Sequence, residues 1–584
     1  MRTQSIWMVV SVCAAAVGCS AGQGSESEHT SSSNAALVGG VSPRVATRHP
    51  HMRQVRPLAR ASNPLLSKGG DLGDDDTAIS VDPTLSALCQ TYRGNVGVFP
   101  APKPNVDAII GDPITTIGSQ AGCGAPQNET TIAVSPWDPL NLVAGANDYR
   151  IVNTREGRND GAGIAYASFD GGHTWKDTVL PHLTFQTGAT GALSDMDSAG
   201  DPVVAFGPQP GIVYYANLVF SRLNNASGMV VSVSHDGGAS WGEPQIVHLD
   251  GVDASGNPTD TTIFNDKEWI AVDPLSGTVY LTWTQFGATD SPIVVASSKD
   301  EGRTWSAPTR VNPPFVAGGI TTYSSGSNPV VGFDGSLYIA YESAVCQTLA
   351  CNQVGDIDAT IVATSKDGGA TFTSAIVGQN FDFPYNPDTQ RSTLTGENFR
   401  INSFPQLAID TWENELVVTW ADDRNGQYDA SGNSIKTNGD VIVSRSHDGA
   451  TWSTPLALGT PADEVYPAVA TIFGQVAISF YTRNYDANGV GLDVASIDGE
   501  YGKLARRPVK RLTSATSNPG IQFVGIGAVT GNILQGVFIG DYTGIAMGWD
   551  GVFHPAWTDF RGNPGVTPPN QDVYTQHVRL AAFD

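Results

Sequence analysis

In a chain of 584 residues, 57 Asp and Glu against 32 Lys and Arg give a formal charge of −25. Without a concentrated basic surface, phosphate-backbone recognition is excluded, and nucleic acid is not expected as a partner. Gly (65) and Pro (36) together make about a sixth of the chain, no long 3.6-residue apolar period occurs, and a helical fold is excluded in favour of an all-β one.

In chain order the first element is an export signal. Arg2 precedes an apolar run over 6–12 and small residues ending at Cys19, too short for a spanning helix. The ending Ala16-Val17-Gly18-Cys19 is similar to the bacterial lipoprotein processing box, although Ala16 stands where that box usually has Leu. The spelling leaves lipidation of Cys19 or simple cleavage and favours the first, so the expected location is exported, cell-envelope lipoprotein or secreted. No later stretch is long and apolar enough to span a bilayer, which limits membrane contact to a lipid anchor. Residues 20–76 read as a disordered linker: Ser-rich over 25–33, rich in Arg, His and Pro over 44–60, acidic over 71–76. Residues 77–127 form an N-terminal extension with short apolar runs at 106–110 and 114–117.

Four cysteines follow the signal. Cys346 and Cys351 bracket four residues and are expected to close a short loop in an exported protein; Cys89 and Cys123 then pair by elimination. Neither pair has a zinc-like partner set, and no metal or other cofactor is expected. An acidic mouth could hold calcium, but Asp195, Asp197 and Asp201 alone do not make a recognisable loop.

From residue 128 a hairpin pattern occurs seven times: 128–148, 201–217, 266–284, 328–342, 404–423, 466–483 and 541–561. Each has an apolar strand such as Trp269-Ile270-Ala271-Val272, a turn such as Asp273-Pro274-Leu275-Ser276-Gly277, and a return strand such as Val279-Tyr280-Leu281-Thr282-Trp283. Five stretches spelled Ser-x-Asp-x-Gly-x-Thr-Trp, or close to it, follow the first five hairpins, with Asp at 170, 236, 300, 367 and 448. The carboxylate can accept N–H groups of its own turn, Gly supplies positive φ, and Thr-Trp opens the next strand. By subtraction the Asp residues stand 66, 64, 67 and 81 residues apart, a period that suits a four-stranded blade.

This frame resembles the Asp box of the sialidase and bacterial-neuraminidase repeat families, and five copies imply a β-propeller over 128–584. Seven hairpins predict seven blades with Asp boxes at the C-to-D turns, whereas the catalytic sialidase domain has six. The last unit stops after its third strand, so residues 106–117 are expected to supply the fourth and close the ring.

In such a blade, strand A runs from the upper face to the lower and strand B returns, so the starts of A and the ends of B converge on the upper mouth. Those positions hold Glu129, Asp201, Asp541 and Tyr542, and the arginines Arg150, Arg424, Arg483 and Arg561. Guanidinium forks suit an acidic ligand; the competing reading pairs each Arg with its neighbouring Asp. Phe399-Arg400-Ile401-Asn402 resembles the sialidase Phe/Tyr-Arg-Ile-Pro motif, with Asn402 in place of Pro. The resemblance implies Arg400 in a substrate-carboxylate clamp, Arg424 lining the site, Asp429 near the family's acid/base position, and a Tyr nucleophile, for which Tyr542 with Glu129 as proton acceptor is the candidate. Two functions stay open: an exo-glycosidase on sialic-acid-like or other acidic sugars, and a non-catalytic surface propeller binding glycan or protein. A monomer is expected.

Overall fold

The computed structural model describes residues 105–108 and 125–583, apart from 156–157, 352, 354, 387–390, 398, 430–433, 487–488, 517–518, 520–523, 527–533 and 562–570. The signal with Cys19, the 20–76 linker, Cys89, Cys123 and residues 109–117 lie outside them.

Seven four-stranded antiparallel sheets follow one another around a channel. Blade 1 consists of Gln127–Val134, Leu142–Asn153, Ile164–Ser168 and Lys176–Val179, with Arg158–Ala162 added beside its second strand. Blade 2 consists of Ser198–Phe206, Val213–Phe220, Ser227–Ser234 and Gln245–Asp250. Blade 3 consists of Phe264–Val272, Val279–Phe286, Ile293–Ser298 and Thr309–Arg310. Blade 4 consists of Gly319–Val331, Leu337–Cys346, Ile357–Ser365 and Thr373–Asn380. Blade 5 consists of Gln406–Asp410, Glu415–Asp422, Asp440–Ser446 and Leu456–Leu458. Blade 6 consists of Glu464–Ile472, Gln475–Thr482, Asp493–Glu500 and Lys510–Arg511.

Blade 7 takes Gly544–Met547, Val552–Asp559 and Asp572–Thr575 from the end of the chain and its outer strand from Val106–Asp107. Val106 stands opposite Thr575 and Asp107 opposite Tyr574. The first strand of blade 7 packs on that of blade 1, so the ring is closed. At this seam Gln127 N–H donates to Gln571 O (2.8 Å) and Thr130 Oγ1 to Ala556 O (2.7 Å). Gly544 lies so close to the Thr130–Ile132 backbone that a Cβ would stand 3.0 Å from Ile132 N.

The core is a set of wedges between neighbouring blades. Between blades 2 and 3, for example, Val203, Leu218 and Met229 pack with Ile270, Leu281 and Trp283. Flat sheets could not fill such wedges; twisted blades, apolar on both faces, can. The Asp boxes fold as their spelling requires. Asp170 Oδ1 accepts the N–H groups of His173 (3.0 Å) and Thr174 (2.9 Å), while Thr174 Oγ1 donates to Oδ2 (2.6 Å). Gly171 and Gly172 sit at φ 75° and 84°. Hydrogen bonds within the box hold Asp300 and Asp367 at about 2. In blade 6 the spelling Ser496-Ile497-Asp498-Gly499 makes no box: the strand continues to Glu500, a 3₁₀ turn over Tyr501–Arg506 replaces the loop, and the buried Asp498 accepts from Lys510 Nζ (2.7 Å) and Ala581 N–H (3.1 Å). Cys346 and Cys351 form a disulfide at the end of blade 4's second strand.

The seam of blades 7 and 1 also holds three histidines. His554 is buried, packing near Gly172 of the first Asp box, and His173 meets His577 edge-on at 4.7 Å. Burial, helped by the charges of His577 and His173, lowers His554 from 6.5 to about 4. Its neutral form is therefore the one the fold prefers. Stability from this group is fully present above pH 6.5 and is lost as pH falls from there to about 4, by up to roughly 3 kcal/mol. His554→Gln should flatten this limb of a melting-temperature profile between pH 6.5 and 4; an unchanged slope refutes the assignment.

Candidate functional site at the upper channel mouth

Strand A of five blades breaks register at the same level, between 128 and 131, 200 and 203, 266 and 269, 325 and 328, and 465 and 468. At that bulge Glu129 (φ 56°), Asp201 (φ 49°), Lys267 (φ 57°) and Tyr466 (φ 51°) take left-handed backbone conformations rare for such residues, and Gly326 does so in blade 4. Strain of about 1 kcal/mol or more at each is held by the surrounding ring and turns a side chain from the sheet toward the channel axis.

Lys267 is the centre. Its ammonium lies 2.7 Å from Asp201 Oδ2, 2.8 Å from Asp541 Oδ2 and 3.3 Å from Glu129 Oε1, with Asp266 Oδ1 at 3.9 Å, and the side chain is 6% exposed. Arg400 closes a fork on Asp541, Nε donating to Oδ1 at 2.7 Å and Nη2 to Oδ2, while its guanidinium lies 4.6 Å from the Phe538 ring centre. Asn147 Nδ2 donates to Glu129 Oε2 (2.7 Å), Asn147 Oδ1 accepts Asp201 N–H (2.5 Å), and Glu129 Oε1 accepts Asp541 N–H (3.0 Å). Blades 1, 2, 3 and 7 thus meet at one lysine.

The electrostatics divide the acids. Burial, reinforced by Asp201, raises Glu129 well above the usual range despite Lys267. Burial raises Asp266 to about 8. Against burial, Lys267 keeps Asp201 low, and Arg400 with Lys267 keeps Asp541 low. Two carboxylates therefore stay ionised against two cations, and the hub is close to neutral. Little charge is left over to hold an acidic ligand.

The structure brings together Glu129, Asp201, Asp541 and Arg400 of the expected residues, and adds Lys267, which the sequence marked only as a polar start of strand A. Tyr542 is buried beside them, its ring edge-on to Trp269 at 5.2 Å. The expected pairing with Glu129 as proton acceptor is not formed: the Tyr542 hydroxyl is buried without a hydrogen-bond partner, and burial with the nearby Asp201 raises it well above its ordinary range.

The arginines expected at the mouth are paired with nearby acids, as the competing reading has it. Arg150, Arg424 and Arg561 fold back on the Asp two residues earlier in three copies of one corner. Nε and Nη2 donate to Asp148 at 2.9 and 2.6 Å, to Asp422 at 2.8 and 2.7 Å, and to Asp559 at 2.9 and 2.8 Å. The same Asp takes a further donor from the blade: Tyr166 OH (2.8 Å), Trp420 Nε1 (3.1 Å) or Trp557 Nε1 (3.0 Å). Arg483 bridges Glu397 Oε1 (2.7 Å) and Asp463 Oδ2 (2.9 Å). These forks tie each strand end to its own surroundings instead of converging with Arg400. Asp429 stands half-buried after the short strand Gln427–Tyr428 of blade 5 and is not among the residues around Lys267. Beside it, Tyr428 OH donates to Asp423, which burial raises to about 8. The sequence shows Asp423 only as a polar end of strand B, since its titration depends on burial. Among the described residues, no group of three or more His, Cys, Asp or Glu is placed to hold a metal ion.

Below the hub the channel widens into a space of about 350 Å³ lined by strand A residues of all seven blades, including Ile132, Val204, Ile270, Val330, Leu407, Val469 and Ile545. Residues 224–467 match the family model described as a BNR repeat-like domain. The fold is a seven-bladed β-propeller, and the BNR repeat-like match covers its middle part. No curated protein matches its sequence at a significant level. Among solved structures, the chain is similar to a protein of unknown function from Dyadobacter fermentans (13% identity, 65% of this chain and 94% of that one, TM-score 0.41). It is also similar to the Hadza microbial sialidase Hz136 (14%, 76% and 74%, TM-score 0.38) and to the Penicillium chrysogenum alpha-L-arabinanase (12%, 72% and 99%, TM-score 0.37).

If Lys267 is the pin of the ring, Lys267→Met leaves Asp201 and Asp541 buried with half their compensation. The expected loss is about 3–5 kcal/mol at pH 7.5, smaller at pH 5, where protonation relieves the freed carboxylates. Thermal unfolding of the variant across that range checks this; a loss independent of pH contradicts it.

Proposed function

We propose that this propeller is an exported, non-catalytic binding protein of the cell envelope, its upper mouth presented to a glycan or protein ligand. One observation carries the reading: the groups a sialidase-like site would use on substrate are already committed to one another. Arg400 is spent on Asp541, Arg424 on Asp422, Arg483 on Glu397 and Asp463, and Arg561 on Asp559. A substrate carboxylate would have to displace a buried acid from each, held bidentately by all but Arg483, and such exchanges cost more than a surface pair does. Rigid corners of this kind instead make a preformed platform, which favours binding by lowering the ordering cost.

The exo-glycosidase reading requires Arg400, whose side chain is 21% exposed, to release Asp541 and take the sugar acid. Purified protein offered acidic and neutral aryl glycosides distinguishes the two. No hydrolysis is expected, and Arg424→Ala should lower the melting temperature through loss of its corner. Turnover of an aryl sialoside that Arg400→Ala abolishes would establish the enzyme instead.

A further inference from the structure

The end of the channel opposite Lys267 carries a feature that neither function uses. Strand A of each blade runs from the hub to a tight A-to-B turn, and these turns encircle the lower opening. Six of them display large apolar side chains to solvent: Trp137, Leu275, Phe333, Trp412, Phe473 and Trp549, each 40–69% exposed. Phe333, Trp412 and Phe473, from blades 4, 5 and 6, form a continuous strip with ring centres 6.2 and 5.7 Å apart. The Trp137 ring is fixed by its Nε1, which donates to Pro208 O of the next blade (2.8 Å). Single exposed apolar side chains are ordinary, but five aromatic rings and a leucine on six of seven turns around an opening make a patch.

The charge on these turns is of one sign. They hold Asp138, Asp334, Glu413 and Asp550 toward solvent, with Asp273 and Asp410 buried beneath, and no Lys or Arg. Several of the carboxylates are fixed by their own turns: Asp273 Oδ1 accepts the N–H groups of Leu275 (2.8 Å) and Ser276 (2.9 Å), and Asp410 Oδ1 that of Trp412 (3.0 Å). Lys366, on an Asp box farther from the axis, lies near Asp334. Rings interleaved with fixed carboxylates repel a polyanion and suit guanidinium groups, which stack on aromatic faces and pair with carboxylates.

The chain itself contains that complement. Residues 44–60 carry Arg44, Arg48, Arg53, Arg56 and Arg60 with His49 and His51, and no Asp or Glu. Val106 joins blade 7 at mid-height, where Thr575 stands opposite Ala556, and Asn105 before it accepts from Arg561 Nη2 (2.7 Å). Between Arg60 and Asn105 lie 44 residues by subtraction. A coil of that length spans on the order of 35 Å, against roughly 20 Å from rim to axis across four strands. We propose that the arginine-rich segment 44–60 docks on the aromatic and acidic ring around the lower channel opening.

The test is hydrogen–deuterium exchange on the full exported protein, compared with a variant in which all five arginines are Ser and with Trp412→Ser/Phe473→Ser. In 0.05 M salt, residues 44–60 and the turns at 135–141, 410–414 and 548–551 should exchange at least about tenfold more slowly in wild type than in either variant. Salt at 1 M, where the screening length falls to about 3 Å, should abolish the difference. Random-coil exchange over 44–60 in wild type overturns the proposal. So does turn protection that survives the arginine replacement, whether it scales with protein concentration, as a second copy would produce, or appears on adding a neutral oligosaccharide. None of these outcomes depends on whether the upper mouth is catalytic.

Discussion

The ammonium of Lys267 is the point where the ring is pinned. A propeller has no central core; its innermost strands face one another across a channel, and something must stop them from spreading. Here Lys267 on blade 3 draws in Asp201 of blade 2, Glu129 of blade 1 and Asp541 of blade 7, and Asp541 in turn holds Arg400 from the segment leading into blade 5. Four chain segments far apart in sequence share one buried cation. Such a cluster is a poor source of net stability, since desolvation offsets most of its Coulomb energy, but it is highly specific: any register error at a strand A bulge would leave a buried charge unpaired. The strained backbone at Glu129, Asp201 and Lys267 is what this specificity costs.

The same geometry explains why the mouth is polar without being an obvious active site. Polar residues at the starts of strand A have to satisfy one another where the sheets end, and the ones here do so almost completely. At the ends of strand B, the Asp-x-Arg corner performs the analogous task locally: it saturates an arginine with an acid two residues away and fixes that acid with a Tyr or Trp from the same blade. Arginines repeated at one blade level are therefore a structural repeat as much as the Asp box is.

Sequence alone carried the architecture a long way. Hairpins and Asp boxes are local devices, each written in fewer than 25 consecutive residues, so seven blades and the positions of their turns could be read directly. The outer strand from Val106 followed from counting an unpaired edge. The site was less legible, because its logic is non-local. Lys267 looks like any polar residue at a strand start until the ring brings three other blades to it, and Asp423 looks like an ordinary acid until its burial is known. The corners were legible, as Asp148 and Arg150, Asp422 and Arg424, and Asp559 and Arg561 share one spacing, and that spacing favours pairing of each Arg with its own Asp.

The closing strand has a consequence for the timing of folding. Val106 pairs with Thr575, a separation of 469 residues, while the other six blades are each contiguous in sequence apart from loops. Those six can form in order as the chain emerges, yet the ring cannot shut until the final strands have appeared, and until then the first strand of blade 1 presents a bare flank. The join is thus made last and from both ends, and a product truncated before residue 544 would remain an open arc.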